Sequence, residues 1–112
     1  MNAFQIPNMR FSIPAGAAVS RKRFVTINAQ GTGVQAAAGG VVVGASMNDA
    51  ALGEVLEIGD GIVIVEVGAA VAAGTALQSA ADGRAIVLTS GVRAGVAITG
   101  AANPGELISV KI

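Results

Sequence analysis

The chain contains two copies of one glycine-rich pattern, residues 16–58 and 68–110. Gly16-Ala17-Ala18-Val19 recurs 52 residues later as Gly68-Ala69-Ala70-Val71. Further matches at that spacing are Gly31 with Gly83, Val34 with Ile86, Gly39 with Gly91, and Gly53-Glu54-Val55-Leu56 with Gly105-Glu106-Leu107-Ile108. Glycines mark turns, so the two copies predict the same backbone path twice. The shared positions are turns and small apolar residues, which is typical of a scaffold.

The composition favours a protein that works assembled. A chain of 112 residues has the size of one domain, and 53% of it is hydrophobic. Charged residues make up only 12% and the net charge is zero, a poor surface for an isolated soluble monomer. The charge is also segregated, with +4 on residues 1–48 and −4 on residues 49–112. This division predicts a cationic end that docks on an anionic surface of the same or another chain.

The first fifteen residues differ from the rest. Pro7 and Pro14 fix two backbone angles and remove two hydrogen-bond donors, and the segment lacks the alternation typical of a paired strand. We therefore predict an extended arm over residues 1–15, followed by a single β domain over residues 16–112. Its apolar side chains must cover either its own domain or a neighbour.

Short strands dominate the expected structure after the arm. Arg23–Asn28 alternates apolar and polar residues, and in the last segment Ser109 and Lys111 are expected to face outward. Gly59-Asp60-Gly61 lies between two apolar runs, which predicts a hairpin bridge over residues 59–67. Glycines interrupt every alanine-rich stretch and disfavour helices. The sequence predicts an all-β fold, a small sandwich or barrel of short antiparallel strands.

The run Ile62–Val67 is apolar on both faces. One face is expected to meet the core. The other, which carries Ile62 and Ile64, must be covered by a second sheet or another subunit.

The inventory of reactive groups argues against catalysis. The chain has no His, Cys, Tyr or Trp, so the commonest general base and metal ligands are missing. Its serines have no visible base, and neither Lys22 nor Lys111 lies in a catalytic motif. Glu54, Asp60 and their acidic neighbours lack the spacing of a calcium loop. We expect no enzyme activity, no catalytic residue, no cofactor, no metal and no small-molecule substrate.

Arg21-Lys22-Arg23 is the one basic cluster of the sequence. A solvated cluster that discourages edge pairing is the first interpretation. A salt-bridge patch against acidic residues of a partner is the second, and nucleic-acid binding is a distant third because charge and aromatic residues are few. No apolar stretch is long enough for a membrane span and no signal peptide is visible, so synthesis in the cytoplasm is the default.

Motifs over nearly the whole chain carry a family resemblance. They include Phe4–Gly16, Val25-Thr26-Ile27-Asn28, Val43-Gly44-Ala45-Ser46, Val71-Ala72-Ala73-Gly74, Ala81-Asp82-Gly83 and Ala101–Val110. Together they resemble the small capsid cement (decoration) proteins of tailed bacteriophages. The resemblance implies a β-rich structural protein on the outer surface of the virion capsid, made in the host cytoplasm. It also implies a homo-oligomer, a dimer or a trimer, that binds the major capsid protein and bridges neighbouring capsomers.

With that function, partner contacts are expected outside the two repeats and in the basic cluster. The candidate partner-binding residues are Phe4, Ile6, Met9, Phe11, Arg21, Lys22, Arg23, Ile62 and Ile64.

The main alternative is a ligand-binding β module, either carbohydrate-binding or lipoyl-like. A lipoyl-like domain would carry a lysine at a hairpin tip between the two copies, where this chain has Asp60-Gly61. Carbohydrate binding usually uses Trp or Tyr as a stacking platform, and both are missing. An enzyme is the third class.

Overall fold

The computed structural model describes residues 3–112, whose regular structure consists of nine strands. They are β1 (Ile6–Pro14), β2 (Phe24–Ile27), β3 (Gly33–Gln35), β4 (Gly44–Ser46), β5 (Val55–Glu66), β6 (Ala76–Ser79), β7 (Ala85–Val87), β8 (Gly95–Ala97) and β9 (Leu107–Lys111). The predicted all-β class is confirmed. Within this range no helix is long and apolar enough to cross a membrane.

All nine strands belong to one antiparallel sheet that curls into a half-barrel. The hydrogen-bonded order is β3-β2-β4-β5-β9-β8-β6-β7, and β1 pairs with β5. β5 is the central strand. At Gly59 it pairs with Arg10 of β1 and with Ala45 of β4, and at Ile62 it pairs with Ile6 of β1 and Lys111 of β9.

The predicted hairpin at Gly59-Asp60-Gly61 is wrong, because these residues lie inside the twelve-residue strand β5. Gly61 has φ of 96°, and β1 contains an irregularity between Pro7 and Met9 opposite this point. The glycines therefore bend the strand instead of reversing it. A Cβ atom at Gly61 would lie 2.6 Å from the Asn8 nitrogen, so only glycine fits against β1 here.

Most of the predicted arm is extended and lies on its own domain, although the missing alternation had argued against a paired strand. Residues Ile6–Pro14 form β1, which pairs with β5 from Ile62 to Val55 of the same chain. The prolines do not prevent this pairing, because β1 pairs with one strand only and a proline is tolerated on an edge strand. Met1 and Asn2, at the start of the predicted arm, lie outside the described residues.

The strand pairings recur at the spacing seen in the sequence. β2 pairs with β3 as β6 pairs with β7, with every partner shifted by 52 residues. β1 pairs with the first half of β5 as the second half of β5 pairs with β9; Phe11↔Ile58 and Val63↔Val110 are one such pair of matches. The pairing pattern thus includes β1, which the sequence repeat left out. Tandem duplication of residues 16–58 and 68–110 stays a prediction.

Two apolar clusters flank the bend of β5. The smaller one contains Leu56 and Ile58 and is covered by half-buried Phe11 and Ile13. The larger one contains Val63 and Val65 of β5 together with eleven further buried residues, among them Phe24, Leu77 and Ile108. The buried positions of β5 are even-numbered before the bend and odd-numbered after it.

Candidate partner-binding surface

Three of the predicted anchors lie exposed near the start of β1. Phe4, Ile6 and Met9 have 37%, 65% and 58% of their surfaces exposed. Phe11 differs, because its side chain packs against the cluster of Leu56 and Ile58. The structure therefore divides the four anchors into three that face outward and one that covers the core of its own chain.

Residues 4 and 5 partly cover the second half of β5. The Phe4 nitrogen donates to Ser109 Oγ at 2.5 Å, and Ser109 Oγ in turn donates to the Phe4 carbonyl. The Ile64 nitrogen donates to Gln5 Oε1 at 3.3 Å. Ile62 and Ile64 are consequently half-buried. Ser109, which was expected to face outward, is fully buried beneath this segment.

The basic cluster does not form one patch. Arg21 is exposed, while Lys22 has φ of 61°, the only positive value at a non-glycine residue within residues 3–112. Lys22 is held there by its backbone: its nitrogen donates to the Ser46 carbonyl, and its carbonyl accepts from the Glu66 nitrogen. These two hydrogen bonds connect the Lys22 backbone to β4 and to the end of β5, so the three basic residues do not form one surface patch.

Arg23 belongs to an ion network within its own chain. Its guanidinium lies 3.5 Å from Glu66 and donates to the Asp82 carbonyl at 3.1 Å. Arg84 also contacts both acids, at 3.4 Å and 2.8 Å respectively. Only 18% of the Arg23 side chain is exposed, so little of it can reach a partner.

The network shifts the protonation of its members. Partial burial raises the pKa of Asp82, but hydrogen bonds from the Arg84 backbone and guanidinium and the attraction of Arg84 and Arg23 outweigh it, so this pKa lies below its usual 3.8. The hydrogen bond to Asp82 raises the pKa of Arg84. Arg23 of the basic first part of the chain thus pairs with acidic residues of the second part. Arg10 and Glu57 form another such pair within the chain.

Sequence reasoning missed Asp60 as a surface feature, because it placed this residue at a hairpin tip. Asp60 instead lines a cavity of about 420 Å³ between β1, β5 and β9. The described part of the chain holds no group of three acidic, His or Cys side chains suited to a metal ion.

The comparisons with known proteins now decide the family. The model of a phage cement protein family matches residues 5–112. The chain belongs to the phage cement protein family. It is a structural phage capsid protein, and its location is the capsid of the virion. The family is not known as an enzyme family. No curated protein matches the chain.

A solved structure has a similar fold. The head fiber gp8.5 N base of bacteriophage phi29 superposes with a TM-score of 0.76 and covers 93% of this chain and 92% of its own. The two sequences are 20% identical. At this identity the likeness concerns the fold alone.

Proposed function

We propose that the protein binds the outer surface of the capsid as a homo-oligomer and cements neighbouring capsomers. Family membership supports the capsid role over the ligand-binding alternative. The observation that carries the finer proposal is the outward apolar surface of Ile6 and Met9 on β1 together with Phe4 just before it. Exposed apolar side chains gathered on one edge are typical of protein contact sites.

Cementing needs no chemical step. A protein that binds the assembled shell better than separate capsomers stabilises the shell by the difference between the two binding free energies. Since a shell offers many equivalent positions, a modest contact at each becomes large in sum. The major capsid protein is the proposed partner, and β1 presents the anchors to it.

Point substitutions test the anchors better than a truncation does. Deleting residues 1–15 would remove β1 and uncover Leu56 and Ile58, so it would confuse folding with binding. Ile6→Ser and Met9→Ser change exposed side chains, of which Ile6 also lines the cavity beside Asp60 and Met9 does not. Both variants should fold like the wild type and co-sediment less with emptied phage heads, and Met9→Ser decides whether the loss belongs to the capsid contact.

Val87→Ser on β7 is the matched control, because Val87 is a 41% exposed aliphatic residue on the last strand of the sheet order. It should decorate heads like the wild type. Full decoration by the Ile6→Ser, Met9→Ser double variant would contradict the anchor assignment.

Arg21 and Lys22 are the part of the basic cluster proposed to meet acidic residues of the partner. The double variant Arg21→Glu, Lys22→Glu should weaken decoration, and the loss should be largest at low salt, where exposed charges are screened least. Arg23 is left unchanged because it holds the ion network. Unchanged decoration at low salt would show that the two residues are merely solvated.

A further inference from the structure

Asp60 is the acidic residue whose carboxylate receives no hydrogen bond or ion pair from residues 3–112. The six other acids each have a partner: Asp49, Glu54 and Glu106 accept from backbone nitrogens, and Glu57, Glu66 and Asp82 pair with arginines. Asp60 Oδ1 is covered by protein and has no donor. A carboxylate oxygen withdrawn from water without a donor is costly. Asp60 therefore lacks a compensating group from its own described chain.

The bend of β5 explains why Asp60 is placed in this way. Ile58 is buried on the even face before the bend, and Val63 is buried on the odd face after it. Asp60 lies between them, on the same face of β5 as Ile58, at the point where the buried side chains change from even-numbered to odd-numbered positions. Met9 of β1 is its register partner and supplies no polar side chain. The fold thus holds the carboxylate half-buried in a cavity that Asn8 of β1 and Lys111 of β9 also line, although neither side chain bonds to it.

The cavity beside Asp60 has the form of a side-chain pocket. Its volume is about 420 Å³, and Ile6, Ile62 and Ile112 supply aliphatic walls. Lys111 also lines it, but its Nζ donates to the Ile112 carbonyl at 3.2 Å and forms no ion pair with Asp60. Aliphatic walls around one carboxylate match a long basic side chain, whose stem is apolar and whose head is charged.

The same chain carries the complementary groups on its surface. Arg21 and Arg93 are exposed arginines, and neither guanidinium has a carboxylate or other acceptor among the described residues. Arg93 follows Val92, whose surface is 48% exposed, so apolar area accompanies this charge as it does in the pocket. The unpaired carboxylate of Asp60 on one copy and an unpaired arginine on a second copy are therefore complementary in charge.

We propose that the Asp60 pocket receives the guanidinium of Arg93 from a second copy of this chain. The proposal rests on the homo-oligomer of the proposed function and names the contact that holds it. An Asp60–arginine contact between two copies fits a twofold dimer, in which it occurs twice, and equally a closed ring, in which it occurs once at each interface. Arginine suits the site because its planar fork offers two parallel donors to one carboxylate.

A charge exchange tests the contact. The mass of the wild type and of Asp60→Asn, Asp60→Arg, Arg93→Asp and Arg21→Asp would be measured by analytical ultracentrifugation across a dilution series. Asp60→Asn should weaken self-association by about tenfold or more, as expected when one partner of a covered charge pair is lost. Arg93→Asp should weaken it similarly, whereas Arg21→Asp should leave it unchanged. Combining Arg93→Asp with Asp60→Arg should restore assembly.

Two further variants separate the alternatives. Lys111→Met should leave the free energy of unfolding unchanged, because Lys111 forms no ion pair with Asp60. A lower urea midpoint for this variant would show that Lys111 is the partner of Asp60 within the chain and would overturn the proposal. Gln30→Glu, which adds a carboxylate at an exposed residue whose side chain makes no hydrogen bond to residues 3–112, controls for charge alone. An unchanged mass for Asp60→Asn, or no restoration by the charge exchange, would overturn the proposal.

The same preparations distinguish this contact from the proposed function. If wild-type protein does not co-sediment with emptied phage heads, capsid binding is contradicted, independent of the result for the Asp60 variants. Wild-type oligomers that decorate heads, with Asp60 variants of the same mass, would contradict the pocket and leave capsid binding intact.

Discussion

β1 and the second half of β5 occupy matching places in the sheet but differ in how they are covered. Phe11 and Ile13 of β1 face Ile58 and Leu56, as Val63 and Val65 of β5 face Val110 and Ile108. Val63 and Val65 are fully buried in the larger cluster, whereas Phe11 and Ile13 are only half-buried over the smaller one. The β5–β9 pair is therefore part of the buried core, whereas the matching β1–β5 pair is partly exposed. The exposed anchors lie at the partly exposed pair.

The largest expected effect compares the two clusters directly. Leu56→Ala and Ile108→Ala each remove a fully buried side chain at matching positions, and each should lower the free energy of unfolding by about 2–5 kcal/mol. Ile108→Ala should lower the free energy of unfolding more than Leu56→Ala, because the larger cluster around Ile108 can relax less into the cavity that the substitution leaves. Urea unfolding followed by far-UV circular dichroism measures both, since the chain lacks Trp and Tyr. A larger loss for Leu56→Ala would reverse the comparison.

A smaller effect is expected where the two halves touch. Gly39 and Gly91, at matching positions, meet so closely that a Cβ on Gly91 would lie 2.4 Å from the Gly39 Cα. Gly91→Ala should therefore lower the free energy of unfolding by about 1–3 kcal/mol, the range for overpacking. Ser90→Ala, at the exposed neighbouring residue, is the control and should be near neutral. If Gly91→Ala and Ser90→Ala had the same free energy of unfolding, the close approach of Gly39 and Gly91 would not contribute to stability.

The smallest effect compares the two β-hairpins of the matching halves. Asp82 and Arg84 join the β6–β7 hairpin with a charged contact, whereas Asn28 holds the β2–β3 hairpin by accepting from the Gln30 and Thr32 nitrogens. The pKa of Asp82 is lower in the folded protein than its usual 3.8. Its stabilising contribution is therefore complete above about pH 4 and is lost as pH falls through the folded value.

Asp82→Asn should thus destabilise the protein by about 1 kcal/mol or less at pH 7, since 44% of the side chain is exposed and its charge is screened by water. The difference from wild type should shrink as the pH falls below 3.8 toward pH 2. Asn28→Ala should lose a similar amount that does not depend on pH in this range. Urea midpoints of both variants at the two pH values measure this, and a constant deficit for Asp82→Asn would contradict the role of its charge.

The sequence sufficed for the fold class because its signals are local. Turn glycines and short alternating runs act within a few residues, and they predicted the antiparallel strands. The hairpin at Gly59-Asp60-Gly61 failed although its local signal was strong, because Gly59 finds Arg10 on one side and Ala45 on the other. Two partners outweigh a turn preference, and neither is visible in the residues around position 60.

The candidate site was harder to predict because its contacts span long distances along the chain. Ser109 was expected to face outward, but it is buried by Phe4, which lies 105 residues away. Arg23 was expected in a basic patch, but Glu66 at the end of β5 and Asp82 in the β6–β7 turn neutralise it. Exposed Ile6 and Met9 could be anticipated, since apolar residues beside prolines fit an edge strand.

The double pairing of Ile62 brings the two ends of the described chain together. Ile6 pairs with Ile62 on one side and Lys111 pairs with it on the other, so one strand separates them, a distance of about 10 Å. A short linker could therefore join residue 112 to residue 3, and new ends opened in a surface turn would leave the sheet order intact. A segment attached after Ile112 would begin beside Asp60, whereas the chain before Ile6 passes Ile64 and reaches Ser109, so the fold offers two attachment points close to the second half of β5.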